Sequence, residues 1–526
     1  MADLITIEQV TKDLVPDGSF VAIGGVHSHN GPMSLIRQII RNETKNLTVL
    51  GSISTGLPID LLVAAKAVKK ILAPYVGMEM WGLAPNYRKA VEQGLVEAPD
   101  VCEAFPIYGL RAAVNGLLFH PFPQEIHEAS DIPSQSKYYR KVSDPFTGTE
   151  VYAVPALVPD IALIHVQRAT KTGDCEHLGS VVLDRLMAEA AKVTIVTCDY
   201  LIDKVDPRLV TIPGFMVDYV IPLRGAAFPT SSHGVYAYNE VAIHEYLKAS
   251  KDPNALSNWI NQFRNVSEEK FLSQQTFLTE LTGTPNDGDY TISELIACVF
   301  SREIRDGEIG ICGAVAEIPM AAMRLAEALH APNLRWIAGG SGYVNPHGIL
   351  YPSSTDYEMS KGAIARLSMD EVIGIEMTKI DFFFAGGLQI DSIGSANLGG
   401  IPSHTGWKLR GPGSVGLPFL PKAGRMYLYT LGHSPRSLVE KVSYVSGPGA
   451  VGNGGSRPAL LVTNLCVFEW NGKWTLKSLH PGVSLDTVVE NTGFDFDIPS
   501  EIPTTQPPSK EELSVLRSFD KLGVLR

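Results

Sequence analysis

Long hydrophobic runs are missing from this chain. Its 526 residues hold no stretch of about 18 apolar positions, the length a membrane-spanning helix needs. The opening MADLITIEQVTKDL is charged and amphipathic where a secretory leader is apolar. A basic excess is missing too: 44 Lys and Arg against 56 Asp and Glu leave a formal net charge of -12. That excludes the basic face of a nucleic-acid binder, while a local pocket for a small anion stays open. Cysteine is sparse. Cys102, Cys175, Cys198, Cys298, Cys312 and Cys466 are scattered with no Cys-x-x-Cys pair, so no zinc framework is read and the six are expected as buried free thiols. There is no Gly-x-Ser-x-Gly elbow, no P-loop, and no Gly-x-Gly-x-x-Gly in a strand–helix context. These absences describe a soluble, reduced, cytoplasmic protein with no metal, no nucleic-acid partner and no membrane partner.

What is present is an alternation. The chain is 45% hydrophobic and too long for one core. Strand-like GSFVAIGGV precedes helix-like PMSLIRQIIRNE, and NLTVLGSIS precedes LPIDLLVAAKAVKK. Later, DIALIHVQ leads through SVVLDRLMAEAAK to KVTIVTCD. Continuous β-branched runs between amphipathic helices imply parallel strands buried on both faces, an α/β architecture. Two echoes organise it. VPDGSFVAIGGV (15–26) resembles IRDGEIGICGAV (304–315), and DIALIHVQRATKTGDCEHLG (160–179) resembles DFFFAGGLQIDSIGSANLGG (381–400), which matches Asp160 with Asp381 and Gly173 with Gly394. The chain is therefore read as two related open α/β domains in tandem with mostly parallel sheets: residues 1–281, a TGTPNDGD-containing linker at 282–290, and residues 291–526. The proline-rich PSEIPTTQPPSK near the end is read as extended surface chain.

Three glycine loops follow strand-like runs in the second half: AGGSG (338–342), AGGLQIDSIGSAN (385–397) and RGPGSVGLP (410–418). Backbone N–H groups at such turns can cradle a phosphate or a developing oxyanion. In the first half, GGVHSHN carries His27 and His29, and HVQRATKTGDCEH carries His165, Glu176 and His177. Without a further ligand at metal spacing, these read as solvated or substrate-facing side chains. Glu103, in DVCEAFPIYGL, leaves two readings open. One is a carboxyl raised toward neutrality by apolar surroundings, hence a general base. The other is a helix-start glutamate satisfied by backbone N–H groups.

These motifs resemble the family I CoA-transferases, specifically the α and β subunits of glutaconate CoA-transferase fused head to tail. VEAPDVCEAF, AAVNGLLFHP and VYAVPALVPDIALIHVQ carry the α-like likeness over about residues 1–250. FFFAGGLQIDSIGSAN, SYVSGPG and VVENTGFDFDI carry the β-like likeness over about 291–505. The resemblance implies two similar open α/β domains with the active site between them, and coenzyme A as part of the substrate with no tightly bound cofactor. In the transferases a β-subunit strand ends in Glu-Ser-Gly, and that glutamate attacks the acyl-CoA. Here Ser341 and Gly342 match the Ser-Gly, and Gly340 stands in the glutamate's place. A glycine cannot form the covalent intermediate. The steroid ring-opening CoA-ester hydrolase of cholesterol catabolism, another branch of the family, also lacks that glutamate and uses one of its α-type subunit, which aligns with Glu103. Where both relatives carry basic residues after the first Gly-Gly strand, this chain has HSHNGP.

The expectation is a CoA-ester hydrolase that opens a ring or cleaves a C–C bond in a cyclic or β-oxo acyl-CoA. Glu103, Gly340 and Ser341 stand at the catalytic positions. His27, His29, Asn30, Gly386, Gly387, Gln389, Arg410, Gly411 and Gly413 stand at substrate-binding positions, with the CoA phosphates near Arg410 and the GGLQID and RGPGSVG loops. The alternatives are a CoA-transferase acting between carboxylic acids and a non-catalytic acyl-CoA-binding protein. A homo-oligomer, dimer or higher, is expected.

Overall fold

Each half of the chain starts its sheet with the same device. Gly18 and Gly307 turn at φ +82° and +80°, a backbone state that glycine enters without steric cost. Asp17 and Asp306, just before them, accept the backbone N–H groups of Lys45 and Asn333, each at 2.7 Å. The strand that follows is then held by the second echoed aspartate. Asp160 Oδ2 accepts the Phe20 N–H at 2.9 Å, and Asp381 Oδ2 accepts the Ile309 N–H at 2.8 Å. Gly173 and Gly394 also share a positive φ, +93° and +80°. The sequence echoes mark a repeated structure.

The computed structural model describes residues 2–404, 406–452 and 454–526. The first sheet contains β1 (Asp3–Leu4), β2 (Phe20–Ile23), β3 (Leu47–Gly51), β4 (Val68–Leu72), β5 (Ile161–Ala169), β6 (Val193–Leu201) and β7 (Tyr219–Pro222) in the order β1-β7-β6-β5-β2-β3-β4. Every pairing along that path is parallel. Helix α1 (Met33–Arg41) follows β2 and α2 (Leu57–Ala64) follows β3. The KAVKK expected to continue α2 does not do so. Lys66 turns at φ +57° and the chain re-enters the sheet as β4.

The second sheet contains β8 (Ile309–Cys312), β9 (Arg335–Ala338), β10 (Tyr343–Val344), β11 (Ala365–Arg366), β12 (Phe382–Ala385), β13 (Arg425–Thr430), β14 (Pro458–Thr463), β15 (Cys466–Trp470) and β16 (Trp474–Leu479). Its order is β11-β10-β9-β8-β12-β13-β14-β15-β16. The stretch from β9 to β14 is parallel and both flanks are antiparallel. In each sheet the strand after the Asp-Gly turn sits where the order reverses, with its sequence neighbour on one side and a strand from far along the chain on the other. Open α/β sheets take ligands beyond the carboxyl ends of the strands at such a point.

All six cysteines are free and buried. No helix among the described residues is long and apolar enough to cross a membrane. The last two residues of PSEIPTTQPPSK already open a helix, Lys510–Phe519, with a Ser509/Glu512 capping box.

The compact units do not follow the chain linearly. The first comprises residues up to Pro121, Ala153–Leu281 and Ser403–Val415. The second comprises Phe122–Tyr152, Thr282–Pro402 and Gly416–Arg526. The 403–415 segment is locked into the first unit by backbone contacts. The Val76 N–H donates to Pro412 O at 2.8 Å, and the Val415 N–H donates to Pro74 O at 3.4 Å. Gly413 sits at φ +132°, and a Cβ there would lie 2.1 Å from Pro74 O. Gly413→Val is therefore expected to cost about 1–3 kcal/mol of stability and to open 403–415 to proteases. An unchanged urea midpoint with unchanged protease resistance would contradict this packing.

Candidate functional site

Glu103 precedes α3 (Ala104–Val114), whose buried face carries Phe105, Ile107 and Leu110. It stands at the helix N-cap with φ -65°, and its side chain makes no capping hydrogen bond. The reading of a glutamate satisfied by the helix's first N–H groups therefore fails. Glu103 is half-buried, and desolvation of its carboxyl pushes it up to about 7, because the charged form loses hydration. At neutral pH such a group is both proton acceptor and donor.

Its backbone is fixed from the far end of the chain. The Glu103 N–H donates to Val415 O at 3.1 Å, and Cys102 pairs with Val415 as an isolated bridge. Three residues earlier, Asp100 is buried against the same segment. Arg410 Nη2 lies 3.0 Å from Asp100 Oδ1, with both side chains at 0% exposure. Ser414 Oγ donates to Asp100 Oδ2, and Arg410 Nε donates to Tyr87 OH at 2.9 Å. Trp407 stacks under the guanidinium at 4.7 Å.

This corrects two expectations. Arg410 is a buried structural cation already paired with a carboxylate, and it is not presented to a phosphate. The RGPGSVG loop likewise has three of its backbone donors taken up inside the protein. The N–H groups of Arg410, Ser414 and Val415 go to Glu92 Oε1, Asp100 Oδ1 and Pro74 O. Gly411 is buried, and Gly413 serves close backbone packing.

The HSHN loop lies beyond the end of β2, at the reversal of the first sheet. Its histidines are not solvated: His27 is 3% exposed, His29 0% and Asn30 1%. Asn30 Oδ1 accepts from Gln167 Nε2 at 2.9 Å and from the His233 N–H at 3.1 Å, and its Nδ2 lies 3.1 Å from His233 Nδ1. His29 Nδ1 lies 2.7 Å from Ser231 Oγ. Gln167 also reaches Ser232, whose hydroxyl donates to Asp199 Oδ2 at 2.5 Å. His165 lies inside β5 and meets Asp199 and Ser232 through Nε2, each at 3.2 Å. Its other ring nitrogen meets Thr197, so this is not a serine triad, in which the base and its orienting carboxylate use opposite nitrogens. His177 Nε2 lies 3.1 Å from Asp184 Oδ2, while Asp184 Oδ1 accepts the Gly25 N–H at 2.8 Å. This pair pins the Gly-Gly turn, and Glu176 faces Arg168 across 3.3 Å.

Burial pushes His29 down to about 3 and lowers His27 as well. The loop therefore presents neutral imidazoles at pH 7. Among the described residues, no group of three or more His, Cys, Asp or Glu side chains is arranged to hold a metal. Sequence reasoning missed Gln167, Asp199, Glu79 and the Ser231–His233 run. SSHG at 231–234 was the available signal, and nothing in its spacing tied it to HSHN.

In the second unit, Gly340 is closed over. A Cβ there would lie 2.3 Å from Thr355 Cγ2 and 2.9 Å from Ser354 Oγ, so no glutamate fits without displacing both. The loop's N–H groups are also consumed. Gly339 donates to Cys312 O, Gly340 to Ser354 Oγ, and Ser341 and Gly342 to Ala338 O. Ser341 is 0% exposed and its hydroxyl points to Ala338 O at 3.4 Å. The AGGSG loop therefore offers neither nucleophile nor oxyanion donors. After β12, Gly386 is half-buried with the nearest atom to a Cβ at 3.4 Å, whereas Gly387 would meet Asn397 O at 2.8 Å. Gln389 Oε1 accepts from Asn397 Nδ2 at 2.8 Å and from the Ser443 N–H at 3.0 Å, which makes it a brace for its own loop.

The family model described as coenzyme A transferase matches residues 4–222 and 294–491. An uncharacterised protein of Archaeoglobus fulgidus is 34% identical over 270 residues, 50% of this chain, and the match spans 60% of that protein's own length. Subunits A and B of glutaconate CoA-transferase from Acidaminococcus fermentans are 29% and 25% identical over 48% and 42% of this chain, and 84% and 88% of each subunit is covered. Counterparts of both subunits are thus carried in one polypeptide. The cholesterol ring-cleaving hydrolase IpdA subunit of Rhodococcus jostii is 26% identical over 48% of this chain and 89% of that subunit. The acyl-CoA transferase YdiF of Escherichia coli O157:H7, solved as a thioester complex with CoA, superposes with a TM-score of 0.70 over 100% of this chain and 97% of that one. At 16% identity, that likeness is one of fold.

The Glu103 carboxyl carries a stability signature. Its folded value of about 7 lies above the roughly 4.3 of an unfolded-chain glutamate. The folded state therefore holds the proton more tightly, and that contribution is complete below about pH 4 and lost as pH rises through 7. Glu103→Gln removes the titration. The variant is expected to gain on the native chain in urea melts between pH 5 and 8, with a pH-independent difference below about 4. A constant difference across the whole range would show that Glu103 is not desolvated.

Proposed function

The chain belongs to the coenzyme A transferase family, and on that premise we propose that it is a CoA-ester hydrolase breaking a carbon–carbon bond in a cyclic or β-oxo acyl-CoA. One observation carries the reading: the Glu103 carboxyl is uncapped and pushed up to about 7 by burial. Glu103 takes a proton from water as the hydroxide adds to the ketone carbon. The tetrahedral alkoxide collapses to a carboxylic acid, and the bond to the α-carbon breaks with its electron pair leaving as the enolate of the acyl-CoA. Glu103 returns the proton to that carbon. Water is consumed, the thioester survives, and no covalent enzyme intermediate forms. A positioned general base contributes typically about 10²–10⁴ in rate. The similarity to a ring-cleaving hydrolase subunit supports this reading.

Transfer of CoA between carboxylic acids is the second reading, and the similarity to glutaconate CoA-transferase favours it. That chemistry needs an attacking group. The position that the resemblance assigns to it is Gly340, packed against Thr355 and Ser354.

Glu103→Gln keeps shape and hydrogen bonding but removes the base. Turnover of a β-oxo acyl-CoA is expected to fall by about 10² or more, with acyl-CoA affinity retained. The native pH–rate profile should rise through about 7 as the carboxyl ionises. Ser341→Ala is expected to be mild, because its hydroxyl is spent on Ala338 O. Loss of turnover in Ser341→Ala, with Glu103→Gln active, would overturn this mechanism.

A further inference from the structure

A base accounts for the attacking water but not for what meets the acyl group. His27 stands out for that task. It lies in the loop after β2, and the first sheet's order reverses between β2 and β5, where open α/β sheets take their ligands. Its backbone is held at φ +49°, and Glu79 opposite is held at φ +51°. Left-handed backbone at non-glycine residues is strained and persists where the surroundings enforce it, characteristically at functional sites. The His27 ring is packed edge-on against Tyr75, with centroids 5.0 Å apart. Among the described residues, neither of its buried ring nitrogens has a hydrogen-bond partner, although a buried polar group left unpaired is costly.

Backbone hydrogen bonds tie the ring's neighbour to Glu103. Tyr75 follows Pro74, whose carbonyl accepts the Val415 N–H, and the Val415 carbonyl accepts the Glu103 N–H. The charges around the ring decide what kind of group it can meet. Glu79 Oε1 lies 3.9 Å from His27 Nδ1, and Glu79 Oε2 accepts the Ser28 N–H at 3.1 Å. A second carboxylate brought to the ring would sit beside the first. Burial lowers His27 and His29 and keeps both rings neutral, so neither supplies a compensating positive charge.

We propose that His27 reads the acyl group by donating a ring N–H to an uncharged oxygen, a ketone or hydroxyl, and that the acyl group carries no carboxylate at that position. This rests on the chain acting on acyl-CoA and adds to it the class of acyl group. Because a site built to hydrogen-bond one group rejects the analogue lacking it, the preference is measurable by binding alone.

The probes are 5-oxohexanoyl-CoA and glutaryl-CoA, which differ by a methyl ketone in place of a carboxylate, together with hexanoyl-CoA and acetyl-CoA. Dissociation constants are measured by calorimetry for the native chain, His27→Leu and His27→Gln. The native chain is expected to bind 5-oxohexanoyl-CoA at least about tenfold tighter than glutaryl-CoA or hexanoyl-CoA. His27→Leu should erase the preference while leaving acetyl-CoA affinity unchanged, and His27→Gln, which keeps a donor, should restore most of it. If His27→Leu does not fold, the imidazole ¹⁵N shifts of native His27 replace it. They should move with 5-oxohexanoyl-CoA and not with acetyl-CoA, and no movement overturns the proposal. Equal or tighter binding of glutaryl-CoA, or an unchanged preference in His27→Leu, overturns it while the acyl-CoA reading stands. Failure of all four esters to bind overturns both.

Discussion

The ion pair between Arg410 and Asp100 is the constraint on which the first unit's site depends. Both groups are removed from solvent. A pair so placed gains little over an apolar contact, yet leaving one member alone is expensive, about 3–5 kcal/mol. Its use here is therefore positional. Asp100 anchors the loop leading into α3, and Arg410 and Ser414 hold that aspartate from a segment more than three hundred residues further along the chain. Arginine suits the role because its planar fork reaches Asp100 and Tyr87 from one rigid group. One residue beyond Ser414, the Val415 carbonyl receives the Glu103 N–H. The carboxyl of the first half is thus placed by the second half of the chain. That gives a physical reason for two subunit-like halves to be useful in one polypeptide: the segment that positions Glu103 cannot dissociate.

The electrostatics of that unit follow one pattern. The loop after β2 carries two imidazoles that burial keeps neutral, and the carboxyl at the start of α3 is held near 7 rather than fully ionised. Neutral donors and a half-ionised carboxyl are what the proposed chemistry on an uncharged carbonyl calls for, because its charge develops only in the transition state. The second unit shows the complementary change. With glycine at 340, Thr355 and Ser354 fill the space a side chain would need, and the loop's N–H groups are spent on internal acceptors. The result is a consolidated loop, close-packed as protein interiors are.

The fold was legible because its signals are local. β-branched runs, Asp-Gly turns and echoed aspartates act through neighbours in sequence or through a strand start, and Asp160 and Asp381 perform the same hydrogen-bonding task at matching places. The limits are equally physical. KAVKK fits a helix as well as a strand until Lys66 turns at φ +57°. Arg410 among glycines reads as an anion site because its true partner, Asp100, is remote in sequence. The exchange of 122–152 and 403–415 between the units leaves no composition break to detect. Glu103 could be narrowed to two readings from its apolar flanks, and only the missing helix cap decided between them. The strain and unpaired nitrogens of His27 are properties of packing that no spacing rule reports.

The central claim is that water, activated by Glu103, is the nucleophile and that no acyl-enzyme forms. A single turnover of 2-oxocyclohexanecarboxyl-CoA in H₂¹⁸O, followed by mass spectrometry of product and protein, addresses it directly. The account predicts one ¹⁸O in the new carboxylate of a ring-opened product that keeps its CoA thioester, with no label in the protein. An intact ring, with CoA passed to an added carboxylic acid or ¹⁸O appearing in a protein carboxylate, would contradict it.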